Sequence, residues 1–141
     1  VLVNANPDAD GLIPEEDCKR YEEFGDEIRR RFGKSLAETS GKGTLVELPL
    51  GTWTMVDHAI IMEQITRGER IRDYVIEGKT AEGWKLLCRN QSVGHKRIEQ
   101  FAPTAVSAVR LRVEKSTNEP IIRKFAAYCV SGEGARLEAL P

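Results

Sequence analysis

From Leu45 to Cys129 the sequence breaks into short apolar runs, each closed by a turn signal after a few residues. The runs are Leu45–Leu50, His58–Met62, Ile71–Thr80, Trp84–Arg89, Arg97–Phe101, Ser107–Lys115 and Ile121–Cys129. The signals between them are Pro49-Leu50-Gly51, Arg67-Gly68-Glu69, Glu82-Gly83, Ala102-Pro103 and Asn118-Glu119-Pro120. No run is long enough for a helix-sized apolar face. Ser107–Lys115 alternates, with Val109, Leu111 and Val113 on one side and Arg110, Arg112 and Glu114 on the other, which is the period of a half-buried strand. Seven short strands joined by turns predict a mainly β chain folded as an antiparallel β-sandwich. Tyr74, Ile76, Val109, Leu111 and Val113 are expected inside it. Ser35 to Thr44, with Gly41 and Gly43, reads as a link or a short edge strand.

The opening follows a different plan. Val1-Leu2-Val3-Asn4 reads as a strand, Ala5 to Gly11 as a loop, and the stretch from about Pro14 to Phe32 as a helix. Glu15, Glu16 and Asp17 complement the positive end of the helix dipole, and Arg29, Arg30 and Arg31 the negative end. Gly33 stands where a left-handed C-cap is expected. Cys18, Tyr21, Phe24, Ile28 and Phe32 form one apolar stripe at spacings of three and four. One strand and one helix cannot enclose a core. Residues 1–34 are therefore expected to be the last βα unit of a larger domain, residues 35–130 the sandwich, and residues 131–141 a polar surface tail.

Lysine plus arginine number 21 and aspartate plus glutamate 22, for a formal net charge of −1. That balance lacks the basic face a nucleic-acid partner requires. No apolar run approaches a membrane span. Cys18, Cys88 and Cys129 are too few and too dispersed for a disulfide framework or a zinc site, and are expected to be buried free thiols. His58 and His95 are too far apart to suggest a metal. No cofactor and no metal are expected.

Several stretches carry a resemblance. The segment VLVNANPDADGLIPEEDCKRYEEFGDEIRRRFG resembles the end of the catalytic barrel in the α-L-fucosidase family of glycoside hydrolases. LAETSGKG, VELPLG, DHAIIMEQITRGERIRDYVIEG, GWKLLCRNQSVGHKRIEQF and VRLRVEKSTNEPIIRKFAAY resemble that family's C-terminal domain, a jelly-roll sandwich of the discoidin or galactose-binding-like type. The resemblance covers Val1 to about Tyr128. It implies a parent enzyme that removes α-L-fucose with retention, using two carboxyls as nucleophile and acid/base. No part of the chain matches the motif of the nucleophilic aspartate, so no catalytic residue is carried over and the chain alone is expected to be catalytically silent. The loop after a last barrel strand faces the active site in such folds, which would place Asn4, Asn6, Asp8 and Asp10 near substrate in the parent. Asp8 and Asp10 also fit plain turn residues.

In the sandwich, loops at one end are the expected place for sugar recognition. The candidates are Glu63, Gln64, Arg67 and Arg70 in one loop and His95, Lys96 and Arg97 in another; an ion-pair cluster such as Glu63 with Arg97 is the structural alternative. Trp53 and Trp84 could stack on a sugar, although Trp84 is expected in the core. Sugar-binding discoidin domains commonly carry a longer segment with calcium ligands where only Ser40 to Thr44 separates LAE from LVELPLG here. The expected function is thus the C-terminal part of a retaining α-L-fucosidase with an accessory sandwich, the alternative being a carbohydrate-binding module for galactose- or fucose-containing glycans. The implied partners are a fucosylated glycan, the missing barrel, and a second copy of the chain through the helix stripe.

Overall fold

The computed structural model describes residues 4–132, and the chain divides into two compact units at Lys34 and Ser35. The first unit holds one helix, α1 (Glu15–Phe32). Its first turn is acidic and its last turn basic, as the dipole favours, and Pro14 precedes it with its carbonyl accepting from Asp17 N and Cys18 N, each at 3.0 Å. Gly33 does not take the left-handed cap expected of it: its φ is −68° and its N–H still donates to Arg29 O at 2.7 Å. Glycine is needed there for closeness, because a Cβ would stand 2.4 Å from the Arg29 carbonyl oxygen. No residue of α1 is buried, and Phe24 and Ile28 are exposed. Cys18 is exposed too, against the expectation of a buried thiol, and Cys88 and Cys129 are only partly covered. The strand expected at the start lies outside the described residues except for Asn4, which is in no strand, and the tail lies outside them beyond Gly132.

The second unit is an antiparallel β-sandwich. Its strands are β1 (Ala37–Lys42), β2 (Leu45–Glu63), β3 (Ile71–Thr80), β4 (Gly83–Gln91), β5 (Arg97–Ser116) and β6 (Ile121–Tyr128), hydrogen-bonded in the order β1-β6-β2-β5-β3-β4. Ser35 to Thr44 supplies an edge strand, β1, paired to β6. The runs expected as four separate strands join into two. Pro49-Leu50-Gly51 and Ala102-Pro103 are not hairpin turns but places where β2 and β5 change layer. Between the pairs Pro49 with Ala108 and Thr54 with Val106, β2 holds extra residues; between Val56 with Thr104 and His58 with Gln100, β5 does. Such bulges bend a strand without ending it. The first half of β2 and the second half of β5 therefore lie with β3 and β4, and their other halves lie with β6.

One core fills the space between the layers. Val46, Leu48, Tyr74, Ile76, Val109, Leu111 and Val113 enter it from one layer, and Ala59, Ile61, Phe101, Ile122, Phe125 and Ala127 from the other. All five residues expected inside are there. The opposite face of the first layer carries a ladder of paired charges. Arg110 Nε donates to Glu77 at 2.7 Å, Arg112 reaches both Glu77 and Glu114, and Arg89 reaches Glu114 at 2.6 Å.

Candidate functional site

In the first unit, Asp8 organises its own turn. Its Oδ1 accepts from Asp10 N and Leu12 N, each at 2.9 Å, while Gly11 follows at a φ of +78° that favours glycine. The Tyr21 hydroxyl donates to Asn4 O at 2.5 Å and pins the loop's start to the helix. Asn4, Asn6, Asp8 and Asp10 are all exposed.

The two loops singled out for sugar recognition do converge at one end of the sandwich, and Glu63 joins them. Its carboxylate is 1% exposed. It accepts from Arg70 N at 2.8 Å, Ile71 N at 3.1 Å and Gly94 N at 3.0 Å. Its own N–H donates to Gly94 O. Arg97 does not pair with Glu63; it donates to Glu99 at 2.7 Å. Glu99 is itself buried and also accepts from the Tyr74 hydroxyl and from Asn90 Nδ2. Burial, reinforced by the Glu99 charge, holds the Tyr74 hydroxyl firmly protonated and pushes the Cys88 thiol up to about 12. Arg70 is spent on the carbonyls of Arg67 and Glu119. Gln64 bonds through its backbone to Ile121 O. His95 and Lys96 lie exposed in the turn before β5.

A third buried carboxylate ties down the end of β6. Asp57 accepts from Val130 N and Ser131 N at 2.8 Å each, from the Ser131 hydroxyl, and from His58 Nδ1 at 2.8 Å. Burial works against its charge, but these donors outweigh burial and hold its pKa at about 2. Among the described residues no buried side-chain nitrogen or oxygen lacks a partner, and no group of three or more metal-ligating side chains comes together.

Two hollows open on the charged outer face. One, of about 520 Å³, is lined by Asp73, Arg89, Asn90, Gln91, Glu114 and Lys115 and has no aromatic wall. The other, of about 420 Å³, has two: Trp53 and Trp84 line it with Glu47, Lys79, Thr52 and Ser107. Trp84 is therefore not the core residue expected. Ile76 pairs with Cys88 and Glu77 with Leu86, so Leu87 is an extra residue in β4. That bulge reverses which side chains face outward, and Trp84, opposite Lys79, comes to the outer face. The Arg110 guanidinium lies 4.1 Å from the centre of its ring.

No family model and no curated protein matches the chain. Solved structures do. A Bacteroides thetaiotaomicron VPI-5482 protein assigned to the α-L-fucosidases shares 46% identity and a TM-score of 0.85, over 90% of this chain and 30% of that one. A Bacteroides ovatus ATCC 8483 protein with the same assignment shares 26% identity and a TM-score of 0.78, over 94% of this chain and 24% of its own. A glycoside hydrolase 29 family member from an unknown rumen bacterium shares 26% identity and a TM-score of 0.78, over 97% of this chain and 27% of its own. The chain is thus similar, in fold and in sequence, to a segment of glycoside hydrolase 29 α-L-fucosidases. It spans between 24% and 30% of the length of these three proteins.

Proposed function

We propose that the whole protein to which this sequence contributes is a retaining α-L-fucosidase that hydrolyses α-L-fucosyl linkages in glycans, and that this chain supplies an accessory sandwich and not the catalytic carboxyls. The likeness to the Bacteroides thetaiotaomicron protein carries the first part, with 46% identity over 90% of the chain. The state of the carboxyl groups supports the second. Retaining hydrolysis needs two carboxyls flanking one bond, one free to attack and one free to trade a proton. In the sandwich, Asp57, Glu63 and Glu99 are buried and each holds at least three donors of the protein itself. In the first unit, Asp8 and Asp10 are exposed, and Asp8 accepts from two backbone N–H groups of its own turn.

The test is an aryl α-L-fucoside assay on this chain and on the full-length gene product. The full-length protein is expected to turn over and the chain alone to stay at the uncatalysed rate. Turnover by the chain that is lost on Asp8→Asn or Asp10→Asn would overturn its silence. A full-length enzyme that ignores α-L-fucosides and cleaves another glycoside would overturn the substrate.

A further inference from the structure

We infer that the hollow between Trp53 and Trp84 is a glycan-binding site, taking a neutral galactose or fucose unit against the indoles; the choice of a sugar ligand rests on the fucosidase reading above. The argument starts from what is left over on the outer face. Glu77 and Glu114 pair with Arg89, Arg110 and Arg112 in a continuous ladder. Glu47 and Lys79 stand on the same face, neither forms an ion pair among the described residues, and both line the hollow. A carboxylate and an ammonium offer acceptors and donors to hydroxyl groups while their charges cancel, which suits a neutral ligand rich in hydroxyls. Thr52 and Ser107 also line it, their hydroxyls donating to Trp53 O and Lys79 O and leaving the oxygens as acceptors.

The aromatic wall supplies the other half of sugar recognition. A pyranose presents a face of C–H groups, which an indole's electron-rich face attracts, while its edge carries hydroxyls. Few sites need more than an apolar wall and a small number of placed polar groups. The wall is also held in position in advance. Glu77 fixes the Arg110 guanidinium at 2.7 Å, and that guanidinium lies 4.1 Å from the centre of the Trp84 ring. A ring already immobilised loses less freedom on binding. The other indole, Trp53, belongs to the stretch of extra residues where β2 changes layer. The site lies away from the Glu63 loops: Ile71 adjoins those loops and Lys79 lines the hollow, eight residues along β3 and so about 26 Å apart.

Trp53 and Trp84 are the chain's 2 tryptophans, so two indole N–H signals report on this hollow and nowhere else. The experiment is a ¹H–¹⁵N titration of the chain with fucose, galactose and lactose, with glycerol as the acyclic polyol control. Both indole signals are expected to shift saturably with at least one sugar and not with glycerol. Glu47→Gln and Lys79→Met, surface changes that leave the core untouched, should each raise the apparent Kd at least fivefold, and Trp84→Leu should abolish the shift. His95→Ala should leave it unchanged. Indole signals unmoved by every sugar, or shifts confined to the residues around Glu63 and His95, would overturn the site. So would a full-length protein in which the two indoles no longer respond because another part of the chain covers them. Those results leave fucoside hydrolysis by the full-length protein to its own assay. An active fucosidase with silent indoles retains the enzyme and rejects this site.

Discussion

The two ends of the sandwich spend their charges differently. At the end where the loops after β2 and β4 meet, three charged residues are spent on their own chain: Glu63 clasps three backbone N–H groups, Arg97 is bound to Glu99, and Arg70 to two carbonyls. At the other end, Glu47 and Lys79 line a hollow with two partly exposed indoles and form no ion pair among the described residues. By charge density alone the first end looks like a site and the second like ordinary surface. The hydrogen bonds reverse that judgement. A charged group whose bonding capacity is filled by its own chain has nothing to offer a ligand, whereas an unpaired pair beside an aromatic wall does.

The sharpest way to break this comparison is to remove Glu63. Its loss leaves three backbone donors without acceptors in a buried place, and each such donor costs about 1–3 kcal/mol. Glu63→Ala is therefore expected to destabilise the sandwich by roughly 3–5 kcal/mol in urea denaturation. Glu47→Ala should stay within about 0.5 kcal/mol, as exposed substitutions do. Equal losses for the two variants would mean that the ends do not differ in the way the hydrogen bonds indicate.

Much of the sandwich was legible in the sequence because strand alternation is a local signal. Val109, Leu111 and Val113 could be placed inside from their spacing, and they are inside. Less legible was continuity. Pro49-Leu50-Gly51 and Ala102-Pro103 look like turns, yet a strand that crosses between layers needs the same chain-bending residues that a turn does, and the sequence does not say which of the two it is. The orientation of Trp84 was hidden for a related reason. Cys88 and Asn90 face inward, and unbroken alternation from them would send Trp84 inward as well. One bulge at Leu87 inverts the pattern, and a bulge is visible only through the partner strand. Glu63 is spent across the loops on Arg70 N, Ile71 N and Gly94 N, which no local pattern reveals, and the partner of Arg97 is Glu99, two residues along its own strand, not the Glu63 offered as the alternative. The two loops meet as expected, but the partners their side chains take were not legible.

Asp57 extends the comparison to pH. It is a third instance of an inward-spent carboxylate, joining β2 to the chain just beyond β6. Its pKa in the folded state, about 2, lies below the ordinary carboxyl value of about 3.9 in an unfolded chain. A depressed folded value means stability that is present above pH ~4 and is lost as pH falls through about 2. The difference corresponds to about 2.5 kcal/mol. Other lowered carboxyls titrate in the same window, so the measurement is the difference between wild type and Asp57→Asn across denaturation curves from pH 6 to pH 2. The gap is expected to be largest at neutral pH and to close toward pH 2. A gap independent of pH would show that the charge of Asp57 contributes nothing and that only its shape matters.

The smallest expected effect tests the preformed wall. Arg110 is partly exposed, and both of its contacts, with Glu77 and with the Trp84 ring, lie on the outer face. Arg110→Ala removes a surface ion pair and a cation–π contact, together worth about 1 kcal/mol or less. Urea denaturation should barely register it. The consequence should instead be local: without the guanidinium against it the Trp84 ring gains rotamer freedom and solvent contact. Its indole N–H signal is expected to narrow and move toward the position of a solvated indole, while the Trp53 signal stays where it is. Arg112→Ala, which breaks the same charge ladder without touching the ring, provides the control and should leave both indole signals in place. If Arg110→Ala and Arg112→Ala perturb Trp84 alike, the ladder holds the face together as a whole and no single residue positions the wall. If neither perturbs it, the ring is held by its strand alone, and the difference between the two ends of the sandwich reduces to Glu47 and Lys79.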